Sequence, residues 1–483
     1  MPPLLRRSPP ELRLFAAILL VKALLLAIDH APMFFLGDSV SYLHTATWGY
    51  IPPDRSFLYG WIIRWSSLWL HSLTPLLIVQ TLAGAVSAFL CAHLLRRFFA
   101  APTAIAAAAG LFCAIEPLQL LFERYVMTET FSLLAFSLFV LAALTYFQGP
   151  TFRQLLLVQL AAVFVIAMRV SFLPIVESAT LLLPLLAGRP WPRLAKHLAL
   201  SCLLFFALQG AYKWSYAQLI QPEFPGARPA YNYDEGFHLL AFVAPIVQPR
   251  DFPDQAHAAE VFKLDWDLRD PRLRFRQRWN QGGLVRNIEA LYPPLEARRL
   301  AKATAWNAVR RDPWGECRLS LFGFTDYFNR EHLRLGMIED RGGARELPDD
   351  LLTFLRSYFH LDARDLPHRV TLTNSWYYAA WWWYLALLFL PLPLLLMIAI
   401  VPARQRPAAI LLFVFASAQI AVIAACSIGP TVRFLHAVAW MAPLTAGVFA
   451  ARLAALRKKK GPDARAPDPS AIVSSVAESV KAA

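Results

Sequence analysis

The chain has 483 residues, of which 57% are apolar and 17% charged, whereas about a quarter of a water-soluble domain is charged. Its formal charge is +14. The apolar residues come in blocks of about 15 to 25, the length that crosses a hydrocarbon core roughly 30 Å thick, which excludes a string of soluble domains and predicts an integral membrane protein.

In chain order, apolar segments fall at about 12–28, 74–95, 102–118, 127–147, 154–168, 171–188, 195–215, 377–401, 408–427 and 434–453. The expected fold is an all-α polytopic membrane protein of about ten transmembrane helices, seven followed by three, with a mainly helical outer-face domain between helices seven and eight. Residues 1–215 form the seven-helix module, with its first outer loop at 29–73. Residues 216–375 form an extracytoplasmic domain, 376–456 the three-helix module, and 457–483 a disordered cytoplasmic tail. The basic start and apolar run of residues 1–28 lead into Asp29, His30 and Pro32 with no small-residue cleavage site, so they read as a retained helix. Five cysteines without a CxxC pair predict neither a disulfide framework nor a zinc site.

Orientation follows from Lys and Arg in the short loops. Arg6, Arg7, Arg13, Arg96, Arg97, Arg153, Arg189, Arg193, Lys196, Arg404, Arg406 and the run 457–460 all fall on one side of a ten-helix topology. That side is the cytoplasm, so both termini are inside and the large domain is outside, in a multi-pass protein of the cytoplasmic (inner) membrane. Reading 154–188 as one kinked helix across Arg169 would put three basic loops outside, so two helices are expected. The polar stretch 216–375 holds 22 basic and 22 acidic residues, leaving 25 basic against 11 acidic elsewhere. The high charge is therefore topology and does not point to nucleic acid.

Seven acidic residues outside that stretch and the termini, Asp29, Asp38, Asp54, Glu116, Glu123, Glu129 and Glu177, all map to the outer face. Carboxylates near hydrocarbon are costly and tend to line functional cavities. They share that face with Arg55, Arg64, Arg124, Arg169, Lys213 and Arg433, the composition expected where a phosphate-bearing lipid is handled. In the first outer loop, GDSVSYLHTATW allows a short helix with Asp38, Tyr42 and Thr45 on one face, and Asp38 also fits an N-cap. RSFLYGWIIRWSSLWL then has the mixture of an interfacial amphipathic helix. In the second outer loop, IEPLQLLFERYVMTET gathers three glutamates and Arg124. At the last helix, SIGPTVRFLHAVAWMAPL puts Arg433 and His436 at the outer mouth, where an arginine either snorkels or holds an anion.

Within the polar stretch, Pro294–Arg311 is a good helix stopped by Asp312 and Pro313, and WGECRLSLFGFTDYF is amphipathic. YNYDEGFHLL, at 231–240, is either solvated surface or a substrate contact. Arg272, Arg274, Arg276 and Arg278 alternate as on a solvated face, and NSWYYAAWWWYL reads as an interfacial aromatic belt.

GDSVSYL after the first helix, ERYVMTET before the fourth and VRFLHAVAWMAPL in the last resemble, in that order, segments of the GT-C superfamily of membrane glycosyltransferases. The likeness is to the branch of protein mannosyltransferases and bacterial aminoarabinose transferases. The resemblance implies a seven-helix module followed by a variable one, and transfer of a sugar from a polyprenyl-phosphate donor to an acceptor hydroxyl on a lipid, glycan or protein, with inversion. Asp38 would be the catalytic base, with Glu123 and Glu129 as supporting acids that orient sugar hydroxyls or bind a metal. Arg433, Arg124, Arg169 and Lys213 would bind phosphate, and Tyr42 and His436 would contact substrate. No cofactor is required by the sequence, and a divalent metal is left open. No nucleotide-binding loop or hydrolase nucleophile motif occurs in a suitable context. Two alternatives stand beside this one: an O-antigen-type polysaccharide ligase or polymerase using arginines of the outer domain, and a non-enzymatic transporter.

Overall fold

A computed structural model describes residues 9–35, 37–188, 190–341 and 346–459. Arg6, Arg7, Arg189, Lys460 and the tail beyond lie outside the described residues. Among the described residues every element is helical, and the β contact is a single parallel bridge between Met33 and Tyr125.

The first ten helices are α1 (Pro9–Ile28), α2 (Asp38–Trp48), α3 (Phe57–Ser66), α4 (Thr74–Phe99), α5 (Thr103–Ile115), α6 (Pro117–Phe122), α7 (Glu129–Gln148), α8 (Phe152–Met168), α9 (Leu173–Leu186) and α10 (Trp191–Ile220). The polar stretch contributes α11 (Glu235–Val243), α12 (Ala258–Val261), α13 (Arg274–Trp279), α14 (Leu284–Leu291), α15 (Pro294–Arg311), α16 (Pro313–Asp326), α17 (Arg330–Asp340) and α18 (Asp349–Phe359). The chain closes with α19 (Leu372–Ala379), α20 (Trp381–Leu388), α21 (Pro391–Ile400), α22 (Arg406–Cys426) and α23 (His436–Lys459).

Among the described residues, five helical segments are long and apolar enough to cross a membrane: Thr74–Phe99, Glu129–Gln148, Trp191–Ile220, Ala403–Ala425 and Val432–Arg457. A sixth results if α20 and α21, bent by 55° to each other, make one broken span. The bend falls at Pro391, which has no N–H to continue the ladder, and Pro393 follows. Helices α5, α8 and α9 are apolar but shorter, and α1 carries Glu11, Arg13 and Lys22.

Helix α4 is the hub of the bundle because its inner face is small. Ala83, Gly84, Ala85, Ser87, Ala88 and Ala92 are buried and let neighbouring backbones approach closely. At Arg169 the backbone becomes extended and the chain reverses. Gln159 on α8 then donates to Thr180 on α9 at 3.2 Å, and Ser201 on α10 donates to the Thr180 carbonyl at 2.7 Å, so α8, α9 and α10 pack side by side as separate helices. Contacts at one end of the bundle are basic: Arg96 with Glu11 at 3.3 Å, Arg97 with Gln148, and Arg452 with Gln405. At the other end sit the polar stretch and the carboxylates.

The polar stretch is divided among three cores, the smallest of which joins Tyr216, Ile220 and Ala227 to Ile51 and Phe57. Helices α11 to α15 bury Phe237, Leu240, Val285, Ile288 and Ala301 in a core of their own, whereas Tyr327, Leu333, Met337, Leu351 and Phe354 belong to the core of the helix bundle. Arg274 and Arg278, expected on a solvated face, are buried. Arg274 lies over the Phe242 ring at 5.1 Å and donates to the Pro271 carbonyl, while Arg278 pairs with Asp234 at 3.0 Å. The aromatic segment of α19 and α20 leaves Trp376, Trp381 and Trp382 exposed, while the Trp376 and Trp383 indoles donate to the Ile115 carbonyl and to Glu116.

Candidate active site

The loop after α1 and the loop before α7 are joined at the bridge: Met33 N–H donates to the Arg124 carbonyl at 2.8 Å, and Val126 N–H to the Met33 carbonyl at 2.9 Å. Ser39, in the first turn of α2, donates to the Val126 carbonyl at 2.9 Å. These bonds set Asp38, at the start of α2, beside Glu129, at the start of α7.

Asp38 makes no capping bond; Gly37 is the N-cap of α2. The Asp38 carboxylate instead accepts from Arg55 Nη1 at 2.7 Å on one oxygen and from Arg433 Nη1 at 3.1 Å on the other. Arg55 also grips Asp54, with Nε to Oδ1 at 2.8 Å and a second contact through Nη2. Arg433 Nε lies 3.7 Å from Glu129 Oε1, the atom that pairs with Arg169. The result is a row of six side chains with alternating sign: Asp54, Arg55, Asp38, Arg433, Glu129, Arg169. Burial works against the charge on Asp38, but Arg55, Arg433 and Arg169 hold its carboxyl below the usual carboxylate range. Asp38 is therefore ionised at neutral pH.

A small cleft opens at the Arg169 end of the row, lined by Glu129, Ser132, Arg169, Phe172, Gln419, Arg433, Phe434 and His436. Two buried oxygens of its lining residues, Glu129 Oε2 and Gln419 Oε1, have no hydrogen-bond partner. The Phe434 ring braces both cations, with Arg169 at 4.7 Å and Arg433 at 5.5 Å from its centroid. The lining residues thus carry two guanidinium groups, each paired with a carboxylate, and two buried acceptors without a partner among the described residues.

Of the residues proposed from sequence, Asp38, Glu129, Arg169 and Arg433 meet in this row. Tyr42 is buried one turn beyond Asp38, its ring edge-on to Tyr59, and burial together with the Asp38 charge holds its phenol above the usual range. Thr45 faces α3 at Gly60. His436 lines the cleft, and its Nε2 is 2.8 Å from Gln119 Oε1.

Glu123, Arg124 and Lys213 lie elsewhere. Glu123 is wholly buried, paired with Lys22 at 2.5 Å and accepting from Gln119 Nε2 at 2.7 Å. Arg124 is wholly buried too, donating to the Asp29 carbonyl at 2.5 Å and to Thr81 at 3.3 Å. Both groups are consumed in holding α1, α4 and the loop before α7 together. Lys213 lies over the Tyr231 ring at 5.0 Å. The two glutamates considered for a metal thus face different cations, and among the described residues no three His, Cys, Asp or Glu side chains gather as a metal site.

Sequence reasoning did not assign Arg55 or Gln419 to the site. Arg55 was legible only as an outer-side cation, in PPDRS. Its loop is held by α10 and by the 231–240 segment, which is largely buried and does not line the cleft: Tyr233 N–H donates to the Pro53 carbonyl at 2.8 Å, and Tyr216 donates to the Pro52 carbonyl.

Comparison of the chain with protein-family models, with characterised proteins and with solved structures finds no match.

Proposed function

We propose that this is a membrane glycosyltransferase that moves a sugar from a polyprenyl-phosphate donor to an acceptor hydroxyl of a lipid, glycan or protein. In this reading the chain spans the cytoplasmic membrane ten times, both termini are cytoplasmic and the Asp38 row faces outward. The observation that carries it is Asp38 held between Arg55 and Arg433 at the edge of a cleft with two guanidinium groups.

The donor phosphate enters the cleft and takes over hydrogen bonds from Arg433 and Arg169, which in its absence are spent on Asp38 and Glu129. Asp38, relieved of one cation, accepts the proton of the acceptor hydroxyl as that oxygen attacks the anomeric carbon. The bond from the anomeric carbon to the phosphate oxygen breaks, its electron pair leaves with the phosphate, and the configuration inverts. A phosphate needs charge stabilisation more than a protonating acid, and the two guanidinium groups supply it. The free oxygen of Glu129 and that of Gln419 accept from sugar hydroxyls.

Native mass spectrometry of the detergent-solubilised protein, offered polyprenyl monophosphate and diphosphate in competition, tests the reading. Preferential retention of the monophosphate, weakened by Arg433→Ala, is expected. Preference for the diphosphate would favour a polysaccharide ligase, and binding of neither would favour a transporter. Full transfer activity in Asp38→Asn would remove Asp38 as the base.

A further inference from the structure

Arg433 is not positioned by its own helix. It lies in a short 3-10 turn, Val432–Leu435, ahead of α23, and the residues before it, 427–431, are extended or bent. What fixes this segment comes from the polar stretch. Asp340, the last residue of α17, accepts from Thr431 Oγ1 at 2.5 Å, from Val432 N–H at 2.7 Å and from Arg433 N–H at 3.3 Å. Tyr327 closes the other side, donating to the Thr431 carbonyl at 2.7 Å and accepting from Thr431 N–H at 3.1 Å. Gly336, one turn before Asp340, lies directly against the Pro430 carbonyl, where a Cβ would collide. Asp340 and Tyr327 are both buried.

We infer that Asp340 is the positioning residue for Arg433: with Tyr327 and Gly336 it clamps 430–433, so that the guanidinium reaches Asp38 and Glu129. Helix α17 thereby belongs to the site although none of its side chains touches the cleft. The consequence for binding rests on the phosphate-holding role proposed for Arg433; the clamp itself does not. A buried carboxylate receiving three donors loses all three when truncated to alanine, whereas asparagine keeps an acceptor for the backbone N–H groups and offers its amide to Thr431.

The test compares wild type, Asp340→Ala, Asp340→Asn, Gly336→Ala and Arg433→Ala, using hydrogen exchange over 430–434 and retention of polyprenyl monophosphate by native mass spectrometry. Asp340→Ala is expected to speed exchange and weaken retention by roughly tenfold or more, and Asp340→Asn to recover most of both. Gly336→Ala disturbs the same segment from the other side and reads out the clamp if Asp340→Ala does not fold. Unchanged exchange in Asp340→Ala and Gly336→Ala would overturn the clamp. Faster exchange with wild-type retention in Asp340→Ala, while Arg433→Ala weakens retention, would overturn the positioning. Faster exchange with unchanged retention in Arg433→Ala as well would leave the clamp standing and overturn the phosphate-binding reading.

Discussion

Asp38 and Arg433 are 395 positions apart in the chain, yet Arg433 Nη1 donates to Asp38 Oδ2 at 3.1 Å. One opens a short helix in the loop after α1 and the other precedes the last helix, so the pair forms only when both modules of the bundle are assembled. On its other oxygen Asp38 meets Arg55, and this second cation is the more easily tested.

Arg55→Gln removes the 2.7 Å partner of Asp38 and leaves Arg433 in place. With that charge gone, the Asp38 carboxyl moves up toward the ordinary carboxylate range. The acid limb of transfer activity should therefore move to higher pH in Arg55→Gln. A pH profile of kcat/KM checks this, and an unmoved limb would dissociate Asp38 from catalysis.

Lys22 and Glu123 form a fully buried ion pair between α1 and the loop before α7. Removing one partner leaves an uncompensated charge and is expected to cost on the order of 3–5 kcal/mol, whereas removing both is far milder. Melting of Lys22→Met, Glu123→Gln and the double variant in detergent should give single variants well below wild type and a double variant between them. Additive losses would mean that the pair is not the main partner of either residue.

Gly84 faces that same pair. A Cβ there would collide with the Glu123 carboxylate and crowd the Gln119 amide. Gly84→Ala gains helix propensity but should still lower the melting temperature, because overpacking typically costs about 1–3 kcal/mol. A rise would show that the carboxylate relaxes freely.

Asp340 gives a pH-dependent test of stability. Burial raises its pKa from 3.8 to about 6, although Thr431, Arg433 and the Val432 and Arg433 N–H groups pull the other way; Tyr327, Tyr377, Tyr125 and Tyr384 are titratable neighbours. A carboxyl whose folded-state pKa is raised holds its proton to higher pH when folded than when unfolded. Its contribution to stability is thus greatest below about pH 4 and declines as pH rises to about 6, by an amount on the order of 2–3 kcal/mol. Asp340→Asn should lack that decline, so its melting temperature gains on wild type between pH 4.5 and 7. A constant difference would contradict the burial of a charged Asp340.

The sequence exposed the helices well because apolar run length is a local property. The segments expected at 74–95, 127–147 and 408–427 match Thr74–Phe99, Glu129–Gln148 and Arg406–Cys426 within a few residues. The segment expected at 377–401 is broken at Pro391, a residue whose meaning depends on what packs around it. Among charged residues, sequence position did not tell which partner each one finds. Glu123 and Glu129 are six residues apart, yet one is spent on Lys22 inside the bundle and the other joins Arg169 and Arg433 at the cleft. Asp340 was invisible as a contributor because its partners lie about 90 positions downstream and include two backbone N–H groups.

The six-residue row from Asp54 to Arg169 carries three positive and three negative charges in strict alternation. Each charge cancels its neighbour at close range, so the row projects little potential beyond roughly 8–10 Å, the screening distance at physiological salt. An anion dissolved in the water outside is barely drawn toward it. The guanidinium groups reveal themselves only to a ligand already at contact, so recognition there rests on short-range fit and not on long-range attraction.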